Sequence, residues 1–422
     1  MMNVLIRPKM LKGDVIIPPS KSLSHRAIIA ASLACGTSVI SNVMYSKDII
    51  ATIEAMRACG SHIIEQKDSL IITGSEVKRI NNIIDANESG STIRFMIPIA
   101  LVNSEPITFT GKNNLVKRPL DTYFEIFDKQ KIEYTKGDDY LPLTVNGGIK
   151  PGEFNIRGDI SSQFITGLLY ALPLLDGDSI INITTPLESK GYVDLTLDML
   201  KKFGVCIDNN EYKTFYIKGN QKFMPTNYQI EGDFSQSAFF LVAATLGSDI
   251  TLHAMNPNSH QGDKKILEDI KAFGGKIDFQ NDTIKASHTK TCGCTIDFAQ
   301  SPDLGPALSV LASLSDGTTE FINASRLRIK ECDRITCMKD ELNKIGANVF
   351  EKPDGMTFKG VEFFEGGVVD SHNDHRVAMA LAMASTRCKK PLKIINAECV
   401  SKSYPNFWEV FESIGGDVEY EK

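Results

Sequence analysis

The sequence contains Pro18-Pro19-Ser20-Lys21-Ser22-Leu23-Ser24-His25-Arg26 and continues at once into Ala27-Ile28-Ile29-Ala30-Ala31-Ser32-Leu33. The prolines keep the chain extended, and a serine then caps the first turn of a helix. Because the apolar run has no polar face, this helix is expected to be buried on all sides. Free N–H groups, Lys21 and Arg26 predict an anion site at its start, and the plainer interpretation is a capped helix with two solvated cations.

The same order of polar cap, apolar helix, turn and β-branched strand recurs along the chain. Its six copies span residues 24–41, 89–111, 161–183, 233–253, 303–323 and 374–396. A second element, an amphipathic helix that ends near glycine and leads into a strand, alternates with it at residues 48–60, 121–132 (without the glycine), 193–204, 264–274, 333–346 and 407–415. Six βαβαββ copies, spaced by roughly seventy residues, predict two α/β domains of three copies each.

The domain boundary is expected near residues 227–232. One domain is predicted from residues 20–231, and the other from residues 1–19 plus 232–422, completed by a leading strand at about residues 3–17. Every buried helix starts with a polar cluster, so the positive helix ends are expected to converge on one face of each domain. The sequence thus predicts an anion-binding active site in a cleft between the two faces.

Composition narrows the class of protein. The chain has 422 residues, of which 42% are hydrophobic and 23% charged, as in soluble proteins with more than one core. A net charge of −6 argues against a nucleic-acid surface. The nine cysteines form no regular framework and are expected to be reduced, as in cytosol, and neither a signal peptide nor a membrane span is predicted.

The search for chemical motifs directs attention to cations and two acids. No P-loop, dinucleotide fingerprint, zinc-protease motif or nucleophile elbow occurs, so no cofactor, metal or covalent catalysis is predicted. Cations cluster at residues 117–119, 328–334, 375–376 and 401–405, where predicted elements begin or end. Asp303 is expected to cap a buried helix, and Glu331 fits a helix start with surface ion pairs. Among cations, each is also a candidate proton carrier.

Several motifs resemble, in order, those of the 5-enolpyruvylshikimate-3-phosphate (EPSP) synthase family. They are residues 19–26, 89–94, 117–119, 161–164, 188–192, 302–303, 330–334, 373–376 and 402–405. The resemblance covers essentially the whole chain. It implies an α/β fold, a two-domain inverse α/β barrel of the enolpyruvyl transferase type, in which each domain has three βαβαββ repeats with buried helices. It also implies transfer of the enolpyruvyl group of phosphoenolpyruvate to the 5-hydroxyl of shikimate 3-phosphate, with release of phosphate through a tetrahedral ketal, in the shikimate pathway of aromatic amino acid biosynthesis.

The resemblance also implies roles for individual residues. Shikimate 3-phosphate is expected to contact Lys21, Ser22, Arg26, Ser161, Ser162, Gln163, Ser189, Asp303, Arg326 and Lys330. Phosphoenolpyruvate is expected to contact Lys21, Gly90, Arg118, Gln163, Arg334, Arg376 and Lys402. Asp303 is the expected base toward the 5-hydroxyl, and Glu331 and Lys21 are the expected proton carriers. The implied partners are these two substrates, without nucleic acid or membrane, for a monomeric cytoplasmic enzyme.

Two positions depart from the family pattern, and two other functions compete. Glu88 stands where the family usually has Asn, and Arg326 stands where many members have Asn. The related transferase that acts on a UDP-amino sugar shares the architecture, but it lacks the run at residues 20–26 and commonly uses a loop cysteine as acid. A non-catalytic anion-binding scaffold is the other alternative, and the presence of both Asp303 and Glu331 argues against it.

Overall fold

The computed structural model describes residues 2–421, which divide into two compact units. One, the continuous unit, comprises Lys21–Ile230, and the other, the discontinuous unit, comprises Met1–Ser20 and Glu231–Lys422. Within the described residues each unit has three four-stranded sheets of the same mixed type, in which one parallel pair is followed by two antiparallel pairs. This repetition confirms the α/β fold of repeated units that the sequence predicts.

The continuous unit contains the first set of sheets. In hydrogen-bonded order, the first is β14 (Tyr228–Gln229), β3 (Gly36–Ser41), β5 (Ser69–Gly74) and β4 (His62–Glu65). The second is β6 (Ile83–Asp85), β7 (Ile107–Thr110), β9 (Leu143–Asn146) and β8 (Glu133–Lys136). The third is β10 (Glu153–Ile156), β11 (Ser179–Ile183), β13 (Thr214–Ile217) and β12 (Ile207–Asn210). Strand β14 returns from the end of the unit to pair with β3.

The discontinuous unit repeats this arrangement. Its first sheet is β16 (Lys276–Gln280), β17 (Thr283–Ser287), β15 (Asp249–His253) and β2 (Lys12–Ile16). The second is β18 (Thr295–Asp297), β19 (Thr318–Ile322), β21 (Gly355–Lys359) and β20 (Asn348–Lys352). The third is β22 (Gly367–Asp370), β23 (Leu392–Ile395), β1 (Asn3–Arg7) and β24 (Asp417–Glu421). The prediction of one leading strand at residues 3–17 is wrong, because β1 and β2 are separate and join different sheets. Pro8 follows β1 and has no N–H with which to continue the ladder.

Six apolar helices lie in the cores. They are α1 (Lys21–Leu33), α3 (Gly90–Ala100) and α5 (Ser162–Ala171) in the continuous unit, and α7 (Phe234–Thr245), α9 (Gly305–Ser313) and α11 (His375–Ala384) in the discontinuous unit. Every residue of α7, α9 and α11 is buried, which confirms the prediction of helices covered on all sides. Within each unit these helices pack on one another, as α3 does on α5 and α9 on α11.

The amphipathic helices bury one face each. They are α2 (Lys47–Ala58), α4 (Asp121–Gln130), α6 (Lys190–Lys202), α8 (Ile266–Ala272), α10 (Arg334–Lys344) and α12 (Phe407–Ser413). Helix α10 stops at Gly346, whose φ of 94° lies in the left-handed region, and α4, which lacks a glycine, places Lys131 there with a φ of 57°. None of the helices in residues 2–421 has the length and apolar character that crossing a membrane requires.

Candidate active site

Within each unit, most of the predicted site residues lie at or near the starts of helices. The hydroxyl cluster, in the continuous unit, comprises Lys21, Ser22, Arg26, Gly90, Arg118, Ser161, Ser162, Gln163 and Ser189. The carboxylate cluster, in the discontinuous unit, comprises Asp303, Arg326, Lys330, Glu331, Arg334, Arg376 and Lys402. Free N–H groups at the start of a helix attract anions, so both locations suit negatively charged ligands.

Arg26 is the buried cation of the hydroxyl cluster. Its side chain donates to the Thr196 hydroxyl at 2.9 Å and to the backbone carbonyls of Ser22 at 2.8 Å and Tyr192 at 2.9 Å. Burial lowers the pKa of Arg26 to about 10, so the side chain still carries its charge at neutral pH. Since no carboxylate in residues 2–421 pairs with it, a bound anion would compensate this buried charge.

Lys21 is held by a carboxylate from the neighbouring helix. Its Nζ lies 2.7 Å from Oδ2 of Asp48, on α2. Beside this pair, His25 Nδ1 and the Thr52 hydroxyl are 2.7 Å apart, and the hydroxyls of Thr52 and Thr92 are also 2.7 Å apart. Burial lowers the pKa of His25 to about 3, so the ring is neutral. This hydrogen-bond chain fixes the starts of α1, α2 and α3 relative to one another.

Gln163 and Gly90 lie where α3 and α5 begin. Gln163 donates to the Ser91 hydroxyl at 3.0 Å and accepts from Arg94 at 2.8 Å. A Cβ on Gly90 would lie 2.8 Å from Cζ of Arg118. Glycine at this position therefore lets the Arg118 guanidinium lie directly against the start of α3.

The serines of this cluster occupy helix starts. Ser161 caps α5, with its hydroxyl accepting from the backbone N–H of Gln163 at 3.3 Å, and Ser162 is buried as the first residue of that helix. Ser189 is buried at the start of α6 with a left-handed φ of 55°, and Ser22 lies partly exposed in the first turn of α1. Neutral hydroxyls of this kind can bind phosphate without cancelling the nearby positive charge.

Arg334 is the centre of the carboxylate cluster. It is the first residue of α10, is 1% exposed, and reaches three acids. Its Nε donates to Asp374 at 2.7 Å, one terminal nitrogen donates to Asp303 at 2.9 Å, and the other donates to Glu331 at 2.7 Å. These carboxylates raise the pKa of Arg334 well above its ordinary value despite burial, and they compensate a cation placed against the helix dipole.

Asp303 is the acid on which several cations converge. Besides Arg334, its carboxylate meets Lys330 at 3.2 Å and Arg376 at 3.3 Å. The prediction that Asp303 caps a buried helix is wrong, because α9 begins two residues later and its cap, Leu304, makes no side-chain hydrogen bond. The Asp303 carboxylate instead pairs with Lys330, Arg334 and Arg376.

The charges around Asp303 shift its ionisation. Burial alone would raise its pKa, but Arg376, Lys330 and Arg334 hold the pKa of Asp303 well below its usual range. Burial lowers the pKa of Lys330 to about 8, with Asp303 acting in the opposite direction and Arg326 adding to the fall. Asp303 is thus a carboxylate at neutral pH, whereas Lys330 is charged at neutral pH and loses its proton as the pH rises through about 8.

Glu331 and Lys402 extend the cluster. Glu331 is shared between Arg334, at 2.7 Å, and Lys402, whose Nζ lies 3.8 Å from its other oxygen. Lys402 and Arg376 are both buried. Asp374 caps α11 by accepting from the backbone N–H of Arg376 at 2.8 Å, so one carboxylate orients both Arg334 and the helix that carries Arg376.

Sequence reasoning assigned no role to Asp48, Arg94 or the Arg334–Asp374 pair. Asp48 orients Lys21, and Arg94 orients Gln163. Asp374 belongs to the run at residues 373–376, which is predicted to form a cap and an anion site, and it also orients Arg334. The sequence does show that Asp48 and Asp374 stand at the starts of predicted helices, but a carboxylate at such a position is usually a cap, so it does not point to a cation as the partner.

In the part of the chain that the structure describes, no group of three or more His, Cys, Asp or Glu is placed to hold a metal ion.

Comparison with known proteins identifies the family. A family model described as EPSP synthase (3-phosphoshikimate 1-carboxyvinyltransferase) matches residues 6–411. The chain belongs to the EPSP synthase family. It is similar to the 3-phosphoshikimate 1-carboxyvinyltransferase of Clostridium perfringens, with 52% identity over 424 residues and 100% of both chains covered. The enzyme of the same name from Clostridium acetobutylicum is 53% identical over 420 residues, with 98% of both chains covered.

A solved structure agrees with this assignment. The EPSP synthase of Acinetobacter baumannii superposes with a TM-score of 0.81 at 27% sequence identity, with 100% of both chains covered. This likeness confirms the predicted fold class, and the family assignment confirms the resemblance seen in the motifs. The chain is a transferase of the shikimate pathway of aromatic amino acid biosynthesis.

Proposed function

We propose that the chain transfers the enolpyruvyl group of phosphoenolpyruvate to the 5-hydroxyl of shikimate 3-phosphate and releases phosphate. The observation that carries this proposal beyond family membership is the pair Asp303 and Glu331, both bonded to the buried Arg334 among further cations. Both substrates carry a phosphate and a carboxylate, so cations are needed to bind them. Addition and elimination each move a proton, so acids are needed as well.

We assign binding of shikimate 3-phosphate to Lys21, Ser22, Arg26, Ser161, Ser162, Gln163 and Ser189, together with Asp303, Arg326 and Lys330. The support lies in Arg26, whose protein partners are all neutral, so that its charge remains for a ligand. Hydroxyls at the starts of α5 and α6 supply donors that suit phosphate oxygens. Lys330 and Arg326 add charge from the carboxylate cluster.

We assign binding of phosphoenolpyruvate to Lys21, Gly90, Arg118, Gln163, Arg334, Arg376 and Lys402. Because Gly90 has no Cβ, the Arg118 guanidinium lies against the start of α3, where backbone N–H groups and a guanidinium can both meet phosphate. Arg376 and Lys402 are buried cations, and burial strengthens their attraction for an anion. Gln163 is held in place by Arg94.

In this proposal Asp303 accepts the proton of the 5-hydroxyl. Its low pKa keeps it ionised, but it also makes the carboxylate a weak base while three cations hold it. Substrate anions that bind Lys330 and Arg376 would share those charges and so raise the basicity of Asp303. Substrate binding and activation of the base would in this way be the same event.

Glu331 and Lys21 carry the remaining protons in this proposal. Glu331 would protonate the methylene carbon of phosphoenolpyruvate as the ketal forms and take the proton back as it breaks down, while Lys21 protonates the leaving phosphate. The side chain of Glu331 is fixed by Arg334 and Lys402, as such a role requires. Fixed cations around the reacting atoms favour the charge that develops in the transition state.

The test is release of phosphate from phosphoenolpyruvate by the purified chain with different acceptors. We expect release with shikimate 3-phosphate and none with a UDP-amino sugar or with water alone. Release with the UDP-amino sugar would instead favour the related transferase. Tight binding of both substrates without phosphate release would favour a non-catalytic scaffold and overturn the proposal.

We further propose that the enzyme acts in the cytoplasm as a monomer. All nine cysteines are free thiols, which suits a reducing compartment. Light scattering on the purified chain tests the monomer directly, and a stable dimer at assay concentrations would contradict it.

A further inference from the structure

A short loop of the discontinuous unit carries two of the residues that are assigned to the reaction. Residues 330–332 connect a single turn of 3-10 helix, Ser325–Ile329, to α10, which begins at Arg334. Lys330 and Glu331 lie in this loop, and their side chains belong to the carboxylate cluster. Because a loop lacks the regular hydrogen-bond ladder of a helix or a strand, the positions of these two side chains depend on the contacts around it.

Arg328 and Asp333 stand on either side of this loop and form an ion pair. Nη1 of Arg328 lies 2.8 Å from Oδ2 of Asp333. The other carboxylate oxygen of Asp333 accepts from the backbone N–H groups of Ile335 at 3.1 Å and Thr336 at 3.2 Å, and so caps α10. The ion pair therefore joins the two ends of the loop and ties both to the first turn of α10.

Arg328 is also anchored to the hairpin of β20 and β21. Its Nη2 donates to the backbone carbonyl of Lys352 at 2.7 Å, and its Nε donates to that of Pro353 at 3.0 Å. Its Nη1, besides meeting Asp333, lies 2.8 Å from Oε1 of Glu351. All three nitrogens of the guanidinium thus bind protein groups, in a planar arrangement that the single amine of a lysine cannot reproduce.

These contacts distinguish Arg328 from an ordinary surface cation. Its side chain is 26% exposed and reaches two carboxylates and two backbone carbonyls, in two segments that are separated along the chain. An exposed pair of flexible side chains contributes little, because holding both in one geometry costs side-chain entropy. A guanidinium held at three nitrogens is fixed, and it can fix the backbone on which it stands.

We propose that Arg328 is a positioning residue, which holds the loop so that Lys330 and Glu331 meet the substrates. Arg328 acts through Lys330, whose Nζ lies 3.2 Å from Oδ1 of Asp303. It also acts through Glu331, which lies 2.7 Å from the Arg334 guanidinium. The roles of Lys330 and Glu331 rest on the proposed function, whereas the position of the loop is measured without substrates.

Loss of this anchor should change turnover and the two KM values to different degrees. Arg328→Met keeps the apolar stem but removes the ion pair and the bonds to the hairpin, so the loop can move. We expect kcat to fall by roughly tenfold or more, because a displaced proton carrier no longer meets the reacting atom. KM for shikimate 3-phosphate should rise roughly several-fold through Lys330, and KM for phosphoenolpyruvate should change less.

The amine of Lys330 reports the position of the loop directly. The charged groups that face it are two acids and two arginines, namely Asp303, Glu331, Arg326 and Arg334. Burial lowers the pKa of Lys330 to about 8, the acids oppose this fall and the arginines add to it. Because burial is the largest of these influences, an amine released into solvent should have a higher pKa.

The experiment follows acetylation of Lys330 by mass spectrometry at increasing pH, in the absence of substrates. Only the neutral amine reacts, so the midpoint of the curve gives its pKa. In Arg328→Met the midpoint should lie roughly one pH unit or more above that of the unchanged protein.

Two further variants separate this role from a general loss of structure. Arg328→Lys keeps a positive charge and disturbs the fold less, but it cannot bind the carbonyls and carboxylates together, so its effects should have the same direction and be smaller. Lys339→Met removes another cation that pairs with Glu351, at 3.3 Å, and should behave as the unchanged protein does.

The outcomes for the loop and for the reaction can be told apart. An unchanged acetylation curve in both Arg328 variants would overturn the proposal, whether or not turnover falls. An equal shift in Lys339→Met would overturn it as well, because any lost ion pair at Glu351 would then have the same effect. A shifted curve with unchanged kinetics would support the positioning by Arg328 and contradict the proposed roles of Lys330 and Glu331.

Discussion

Each of the two clusters contains a buried arginine, but the groups that contact that arginine differ between them. In the hydroxyl cluster, the buried Arg26 donates to a hydroxyl and to backbone carbonyls, and no carboxylate of the described residues pairs with it. In the carboxylate cluster, the buried Arg334 is surrounded by Asp303, Glu331 and Asp374. The first arrangement leaves positive charge available for an anion. The second holds three acids in fixed positions, as proton transfer requires, and keeps Asp303 ionised.

This difference predicts that the two clusters contribute differently to substrate binding and to turnover. Loss of an acid from the carboxylate cluster should reduce turnover more than binding, whereas loss of Arg26 from the hydroxyl cluster should reduce binding more than turnover. A variant that raises KM with kcat unchanged has lost uniform binding, and one that lowers kcat has lost an interaction made in the transition state. Four experiments test this division, from the largest expected effect to the smallest.

The largest effect is expected from Asp303→Asn and Glu331→Gln. Each change keeps the shape of the side chain but removes the carboxyl group that transfers the proton, so turnover should fall by roughly a hundredfold or more. KM values for both substrates should change little. The measurement is steady-state phosphate release, with substrate binding followed separately by calorimetry.

The matching Ala variants control for the shape of the side chain. Asp303→Ala and Glu331→Ala should lose turnover to a similar degree while still binding both ligands. Wild-type turnover in either the amide or the Ala variant would remove that residue from its assigned role.

Replacement of Arg26 by Met should have the opposite effect, with KM raised and turnover little changed. The apolar stem is retained while the charged hydrogen bonds to the ligand are lost, so KM for shikimate 3-phosphate should rise by roughly tenfold to a hundredfold. KM for phosphoenolpyruvate should change far less. Thr196→Val, which removes only the hydroxyl that Arg26 contacts, is the matched control and should give a smaller rise.

Binding of shikimate 3-phosphate should weaken as the pH rises through about 8, the pKa of Lys330. An anion favours the charged amine, so binding above this pH takes up a proton, and raising the pH costs affinity. The loss should reach roughly tenfold at pH 9 relative to pH 7, because each pH unit above the pKa weakens binding by up to tenfold. Calorimetry in buffers of different ionisation enthalpy measures the proton uptake.

Lys330→Arg is the control for this pH dependence. Its guanidinium stays charged to pH 9, so affinity should be independent of pH over this range. The same fall in affinity in Lys330→Arg would assign the titration to another group.

Gly90→Ala should have the smallest effect and act on one substrate only. The added Cβ crowds the Arg118 guanidinium, which is the movable end of a flexible side chain. KM for phosphoenolpyruvate should therefore rise roughly several-fold, since the side chain can shift at moderate cost. KM for shikimate 3-phosphate serves as the internal control, and an equal rise in both values would contradict the assignment of Gly90 to phosphoenolpyruvate.

The sequence predicted the repeated elements well, because each depends on local signals. Apolar runs such as residues 238–244 become buried helices, and a glycine such as Gly346 marks where a helix stops. The interruption at Pro8 also had a local signal, but the prediction of one long leading strand overlooked it. Pairing of β1 with β23 depends on contacts across almost the whole chain, and no local pattern contains that information.

For the site, the sequence predicted residues but not all of their partners. The sequence at Asp303 predicts a helix cap, but in the structure its carboxylate pairs with Lys330, Arg334 and Arg376. Asp48 reads as an ordinary helix-start acid until the fold places Lys21 beside it. Which carboxylate meets which cation is decided by tertiary packing, and no local sequence pattern contains that information.

Strand β1 has a consequence for how the chain is made. It is an inner strand of its sheet, hydrogen-bonded to β23 and β24. Val4, for example, pairs with Ile394 and with Tyr420, which are synthesised long after it. Residues 21–230 contain all strands of their own sheets and can fold while synthesis continues. Strand β1 must wait, with its backbone hydrogen-bonding groups unmatched, until β23 and β24 have emerged. Chaperones that protect nascent chains should therefore matter most for the segment that contains β1.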